Sequence, residues 1–263
     1  MSGPFDILVI DDESVIIDSV VKVGEYEGHT VDSARTAGAG LVKLGANRYR
    51  IMICDIMMPE MDGFRFLDEI RGMGIDTPVI MTTGLSTLQN AVKSLLAGAI
   101  GFLPKPFTVG ELMSRIRRAL KYEELLGRMR SGELREADFF EDYPAEYRRL
   151  GQASWLNTEA AGVVSVGVMA LFLQTIDPVV RLDLLDADEQ VQQGNVCASF
   201  ATDTLLVHGL RSPVSGRIIA RNEKIVADPR SLVCDPYREG WLYKIVPNNL
   251  EDERELLKVG IGM

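Results

Sequence analysis

The sequence predicts an α/β domain followed by a mainly β domain. Three observations carry this. The 263 residues exceed what one small domain needs, so one large domain or two ordinary ones is expected. The first 120 residues alternate apolar runs of strand type with segments of helical spacing. From about Leu150 the texture changes to short apolar runs separated by Gly, Pro and Asp. The expected boundaries are a first domain over 1–122, a helical linker over 123–150 and a second domain over 151–263.

In the first domain, Phe5–Ile10 is an apolar run ending in two aspartates, Asp11 and Asp12. Ser14–Tyr26 follows with Val15, Ile16, Val20 and Val23 at helical spacing. Thr30–Ala34 reads as a strand and Thr36–Ala46 as a helix that Thr36 can cap. Ile51–Cys54 is a second buried-strand run that ends in an aspartate, Asp55. Phe64–Arg71 is a helix, Pro78–Thr82 a third apolar strand run, Leu88–Ala97 a helix and Ala99–Leu103 a short strand. A long charged helix runs from Val109 to about Arg130, and the polar stretch Ser131–Tyr147 reads as a linker. Apolar strands alternating with helices imply a parallel sheet covered on both faces. Ligands in such sheets sit at the carboxyl ends of the strands, where Asp11, Asp12, Asp55, Thr83 and Lys105 fall. Along the long helix, Leu112, Ile116, Ala119 and Leu126 offer a short seam for a homodimer; a solvated connecting helix is the competing reading.

In the second domain, the strand-type runs are VVSVGV, VRLDLL, VCASF, RIIA and WLYKIV. Trp155 and Trp241 read as core, and His208 as packed or on the surface rather than a ligand. Cys54, Cys197 and Cys234 are isolated, which suits small buried hydrophobes better than a zinc site.

Net charge is −10, and neither half has a basic surplus: residues 1–150 hold 18 basic and 23 acidic side chains, residues 151–263 hold 10 and 15. That disfavours nucleic-acid binding. The best apolar stretch, Ala160–Ile176, is interrupted by Gly, Ser165 and Gln174, so no membrane span is expected. The first residues lack a basic region followed by an apolar one, which points to the cytoplasm.

The acidic cluster has a chemistry of its own. Aspartyl phosphorylation needs a carboxylate nucleophile and neutralisation of the phosphoryl oxygens. Mg²⁺ held by a few carboxylates supplies that neutralisation, and clustered like charges favour such an ion. Lys105 adds a positive charge and Thr83 a hydroxyl. The motifs are DD (Asp11–Asp12), DIMMPEMDG (Asp55–Gly63), MTTG (Met81–Gly84) and LPKPF (Leu103–Phe107). Together they resemble the receiver domain of bacterial response regulators, over Phe5 to about Tyr122. The resemblance implies a flavodoxin-like (βα)5 fold with Asp55 as phosphoacceptor. It makes Asp11, Asp12 and Asp55, with the backbone carbonyl of Met57, the metal ligands. It makes Thr83 and Phe102 the switch pair and Lys105 the lysine that meets the phosphoryl group. The implied partner is a sensor histidine kinase or a phosphotransfer protein, and the chain is not an enzyme beyond its own phosphoryl chemistry. The family's hydrolysis-tuning positions fall on Met57 and Leu85, neither of which can hydrogen-bond a water. Slow self-dephosphorylation is therefore expected.

In the second half, PVSG (Pro213–Gly216), Asn222–Glu223 and DPYREGWLYKI (Asp235–Ile245) occur in order. They resemble the H protein of the glycine cleavage system, from about Ser154 to Val259. The resemblance implies a β-rich barrel-sandwich hybrid of the lipoyl-carrier kind. Its lipoyl lysine, eight residues before the proline of PVSG, falls on Leu205, and its acidic residue three positions earlier falls on Thr202. The sequence holds no lysine between Lys121 and Lys224. A fold kept without its lipoyl arm is expected, with the hairpin around Leu205 as a docking surface for an unidentified protein partner. The alternative is a lipoyl-type carrier of glycine and one-carbon metabolism under receiver control.

Overall fold

The computed structural model describes residues 5–135 and 143–259. Residues 1–4, 136–142 and 260–263, which include part of the expected linker and both chain ends, lie outside the described residues. The chain divides into two compact units, residues 1–87 with 97–126 and residues 88–96 with 127–263.

The first unit is built on a parallel sheet of β1 (Phe5–Ile10), β2 (Val31–Ala34), β3 (Tyr49–Asp55), β4 (Val79–Thr83) and β5 (Gly101–Pro104) in the order β2-β1-β3-β4-β5. This is the flavodoxin-like order. Ile7 to Ile10, Ile51 to Cys54 and Val79 to Met81 are buried, as strands covered on both faces require. Its helices are α1 (Ser14–Tyr26), α2 (Ala37–Ala46), α3 (Gly63–Gly72) and, as far as Leu126, α5 (Val109–Arg130); α4 (Leu88–Leu96) is grouped with the second unit. Thr36 caps α2 as expected, accepting from Ala39 N at 3.1 Å, and Asp62 caps α3 from Arg65 N at 2.8 Å.

Helix α1 turns Ile17, Val20 and Gly24 inward, while Val15 is exposed. The spacing defined the helix, and the sheet selected its buried face. One expectation needs correction. The proposed dimer seam is not available: Leu112, Ile116 and Ala119 are at most 1% exposed, since they are the core-facing stripe of α5. Arg50 of β3 ties this helix to the sheet, pairing with Glu123 and Glu124 of α5 and with Asp6 of β1.

The second unit is antiparallel. A seven-stranded sheet contains β6 (Arg148–Leu150), β7 (Ser154–Thr158), β8 (Val164–Val168), β10 (Gln190–Val191), β13 (Gly216–Arg221), β14 (Trp241–Pro247) and β15 (Lys258–Val259). Its order is β10-β13-β14-β8-β7-β6-β15. A three-stranded sheet holds β9 (Val179–Leu184), β11 (Val196–Thr202) and β12 (Val207–Arg211), in the order β12-β11-β9. Short helices α6 (Ala170–Gln174), α7 (Glu223–Ala227) and α8 (Leu250–Leu256) lie between strands. The five strand-type runs are strands β8, β9, β11, β13 and β14. The apolar stretch Ala160–Ile176 divides into a 3-10 turn, β8 and α6, and no described helix is long and apolar enough to cross a membrane.

The marker residues of the second half have structural jobs. A Cβ on Gly216 would stand 2.3 Å from Val246 O, so the PVSG turn needs glycine. Ser215 is clamped by Glu253 through its amide at 2.7 Å and its hydroxyl at 2.5 Å. Asn222 Nδ2 donates to Glu239 O at 2.9 Å and to Trp241 O at 2.8 Å. Asp235 accepts from the amides of Tyr237, Arg238 and Glu239, and a Cβ on Gly240 would meet Asp235 O at 2.5 Å. Trp155 is core, as expected, and donates to Val168 O and Pro236 O. Trp241 is only half-buried, with Lys244 Nζ 5.4 Å from its ring centroid, so it is not the core residue the sequence suggested. Cys54 and Cys197 are buried but Cys234 is exposed, which corrects the reading of all three as core.

Candidate functional site

Strands β1 and β3 lie side by side and parallel, Ile10 opposite Cys54. Their next residues, Asp11 and Asp55, therefore emerge at the same edge. Asp12 joins them, and one carboxylate oxygen from each of the three lies within 4.8 Å of the others. Asp11 is 1% and Asp55 3% exposed. Parallel pairing of β4 with β5 brings Thr83 opposite Pro104, so Lys105 follows at the same end.

The ammonium of Lys105 is the cationic centre of the cluster. Its Nζ lies 2.7 Å from Asp11 Oδ2, 2.9 Å from Glu13 Oε1 and 3.4 Å from Asp55 Oδ1. The last is an ion pair longer than an ordinary N–H···O bond, and Asp55 Oδ1 accepts no hydrogen bond although it is buried. Burial is the main force pushing the Asp55 carboxyl up to about 6; Lys105 pulls it back, and Asp11 and Asp12 push it further. Burial likewise raises Asp11. Lys105 is held above its ordinary value, because its bonds to Asp11 and Glu13 outweigh the opposing effect of burial.

One ammonium thus meets the carboxylates of Asp11, Glu13 and Asp55, and Asp12 adds a further carboxylate beside Asp11 and Asp55. The hard oxygen donors, the charge imbalance and the unsatisfied Asp55 Oδ1 fit a small divalent cation such as Mg²⁺.

The loop after β3 must pass close to the end of that strand at Asp55. A Cβ on Gly63 would stand 2.3 Å from Asp55 O, while Gly63 N donates to Ile56 O at 3.0 Å. Met57, whose carbonyl is the expected fourth protein ligand, lies in this loop with its side chain 56% exposed. Thr83 is buried, and its hydroxyl accepts from Leu85 N at 3.1 Å. Phe102 is also buried, with its ring inward. All the expected receiver residues therefore occupy the sheet's carboxyl end or flank it.

Sequence reasoning missed Glu13. The signal was present as a third acid directly after Asp11–Asp12, but the reach of its side chain to Lys105 depends on β1 and β5 ending at the same edge of the sheet.

The second candidate position is the β11–β12 turn. Leu205 is 92% exposed with φ +64°, a left-handed conformation rare for leucine. Its amide donates to Thr202 O at 3.1 Å, and Thr202 N donates to Leu206 O at 2.9 Å. Thr204 Oγ1 donates to Asp177 Oδ2 at 2.8 Å and Asp203 N to Pro178 O at 3.1 Å, so the turn is braced from outside. Thr202 is buried and His208 is 1% exposed, packed rather than presented.

Comparison with known proteins follows the same division. Residues 7–117 match the family model of the response regulator receiver domain, and residues 146–260 that of the glycine cleavage H-protein. Among curated relatives, response regulator MprA of Mycobacterium ulcerans is 33% identical over 119 residues, 45% of this chain and 51% of that protein. The MprA of Mycobacterium sp. (strain KMS) is 33% identical over 118 residues, 45% and 51%. The chain spans about half the length of the curated relatives it matches. Similar solved structures include a CheY-like response regulator receiver domain protein from Methanospirillum hungatei (34% identity, 48% of this chain and 100% of that chain, TM-score 0.45). A glycine cleavage system H protein from Mycobacterium marinum is also similar (29%, 40% and 86%, TM-score 0.37). The chain thus joins a response regulator receiver domain to a domain of the glycine cleavage H-protein kind.

Proposed function

We propose that this protein is a response regulator that takes a phosphoryl group on Asp55 and thereby switches the interactions of an H-protein-like module without a lipoyl arm. The observation that carries the first part is the convergence of Asp11, Asp12, Asp55 and Lys105 at the carboxyl end of the sheet around a buried carboxylate oxygen with no hydrogen bond. In this reading Asp55 is the nucleophile. Its carboxylate oxygen bonds to phosphorus as the donor's bond to phosphorus breaks. Asp11, Asp12 and Asp55, with the Met57 carbonyl, would hold Mg²⁺, which neutralises phosphoryl oxygens. Lys105 pairs with the phosphoryl group, and the Thr83 hydroxyl leaves Leu85 N to reach it. That move, coupled to Phe102, biases a packed two-state element. The donors are a sensor histidine kinase or a phosphotransfer protein, in the cytoplasm. The chain performs chemistry on itself alone.

The second part is supported by the turn at Leu205. An amide-linked arm needs a side-chain amine, and the exposed residue at the tip is leucine. The turn is braced and its apolar side chain displayed, which suits a docking contact with a protein partner. The alternative, a carrier under receiver control, needs an amine at the tip.

The direct test is labelling of the full chain with acetyl phosphate and Mg²⁺. We expect one phosphoryl adduct by intact mass, lost in Asp55→Asn. An adduct that persists in that variant would move the phosphoacceptor elsewhere.

A further inference from the structure

We propose that Glu13 is a positioning residue: a displaceable counter-ion that occupies Lys105 until a phosphoryl group arrives, and so restrains phosphoryl uptake from anionic donors. This rests on Asp55 being the phosphoacceptor.

Three carboxylates surround the Lys105 ammonium, and they are not equivalent. Asp11 is buried, bonded to Lys105 at 2.7 Å, and its other oxygen accepts from Glu13 N at 3.0 Å. It is fixed on both sides. Asp55 lies farther off, at 3.4 Å. Glu13 bonds Lys105 at 2.9 Å, yet its side chain is 60% exposed. It can swing into water at small cost, because an exposed carboxylate is already largely solvated.

A phosphoryl group on Asp55 needs an N–H from Lys105, and the two short bonds of that ammonium go to Asp11 and Glu13. Of these, Glu13 is the one that can leave. Its charge also stands at the solvent side of the cluster, where an anionic donor must approach, and opposes that approach through a medium that salt screens. Restraint of this kind favours a docked protein donor over free small phosphodonors, because a docked donor brings its own binding energy.

The test compares the full chain with Glu13→Gln and Glu13→Asp, each with saturating Mg²⁺, using acetyl phosphate and phosphoramidate as probes. With acetyl phosphate, the Asp55–phosphorus bond forms as acetate leaves. Initial rates come from intact mass. Glu13→Gln is expected to take phosphate from acetyl phosphate about five-fold faster than the parent, the scale of one modest charge interaction. The gain is expected to be smaller with phosphoramidate, which carries less net negative charge, and to shrink in high salt. Glu13→Asp keeps the charge and is expected to lie between parent and Glu13→Gln. An unchanged or slower Glu13→Gln with acetyl phosphate overturns the proposal. So does an equal gain with both donors that salt leaves intact, since that marks loosened structure rather than lost charge. Asp55→Asn, run alongside, separates the two readings. If it still takes label, or if the parent takes none, the phosphoacceptor assignment is what fails.

Discussion

At the scale of single residues, the receiver site is controlled by what its neighbours cannot do. Met57 and Leu85 are each 56% exposed, and neither side chain carries a donor or a strong acceptor, the Met57 thioether being only a weak acceptor. In the proposed phosphorylated state these two side chains would offer an attacking water at most a weak acceptor. The phosphoryl group is therefore expected to persist well beyond seconds in purified protein, and Met57→Asn to shorten its lifetime, as followed by intact mass after the donor is removed. Loss within seconds in the parent would refute the role of these two positions. Gly63 shows the opposite kind of constraint, since any side chain there would strike the backbone of Asp55.

At the scale of elements, the turn from Asp235 to Gly240 is the best example of a motif with a physical reason. Its three backbone amides converge on the Asp235 carboxylate. Burial by itself would raise that group, but the amides outweigh it and hold it below the ordinary carboxylate value of 3.8. A depressed carboxyl contributes stability that is present above its unfolded value and lost as pH falls through its folded one. The turn supports Tyr237, whose hydroxyl accepts from Ala170 N and whose carbonyl accepts from Tyr147 Oη. Asp235→Ala is expected to cost about 1–2 kcal/mol at pH 7. The gap from the parent should close as pH drops below about 4. Denaturant unfolding at pH 7 and pH 3 checks this; a gap independent of pH would assign the loss to packing instead of to the carboxylate.

At the scale of the whole molecule, two modules of different chemistry share one chain, and the residues that mark the second are not those that would make it a carrier. Ser215, Gly216, Asn222, Asp235 and Gly240 hold turns, clamps and close approaches. They specify the fold, and they do so whether or not the hairpin tip carries an arm. Lys224, Lys244 and Lys258 are the lysines that follow Lys121, and none lies in the hairpin. Full-length protein from cells with an active lipoylation pathway and added lipoate is expected to show an unmodified mass. A lipoyl-sized adduct would restore the carrier reading.

Much of this was legible in the sequence because it is local. Apolar runs ending in aspartate identified β1 and β3, Thr36 announced its helix, and the paired aspartates, the threonine and the lysine lay at predictable strand ends. The short strands β6, β10 and β15 and the helices α6, α7 and α8 were not legible. They are too short to carry a period, and their partners lie far along the chain. For the same reason the sequence could not say that Leu112, Ile116 and Ala119 face inward, that Trp241 is only half-buried, or that Cys234 is exposed. By itself, then, the sequence determined which chemical groups are available, in what order, and that no lysine stands at the hairpin. Tertiary structure decided what those groups meet. Only the parallel alignment of β1, β3, β4 and β5 brings Glu13, 92 residues away in sequence, to the ammonium of Lys105. Such a distance in space depends on strand order and register, and these are set by burial over the whole sheet rather than by any short stretch of chain.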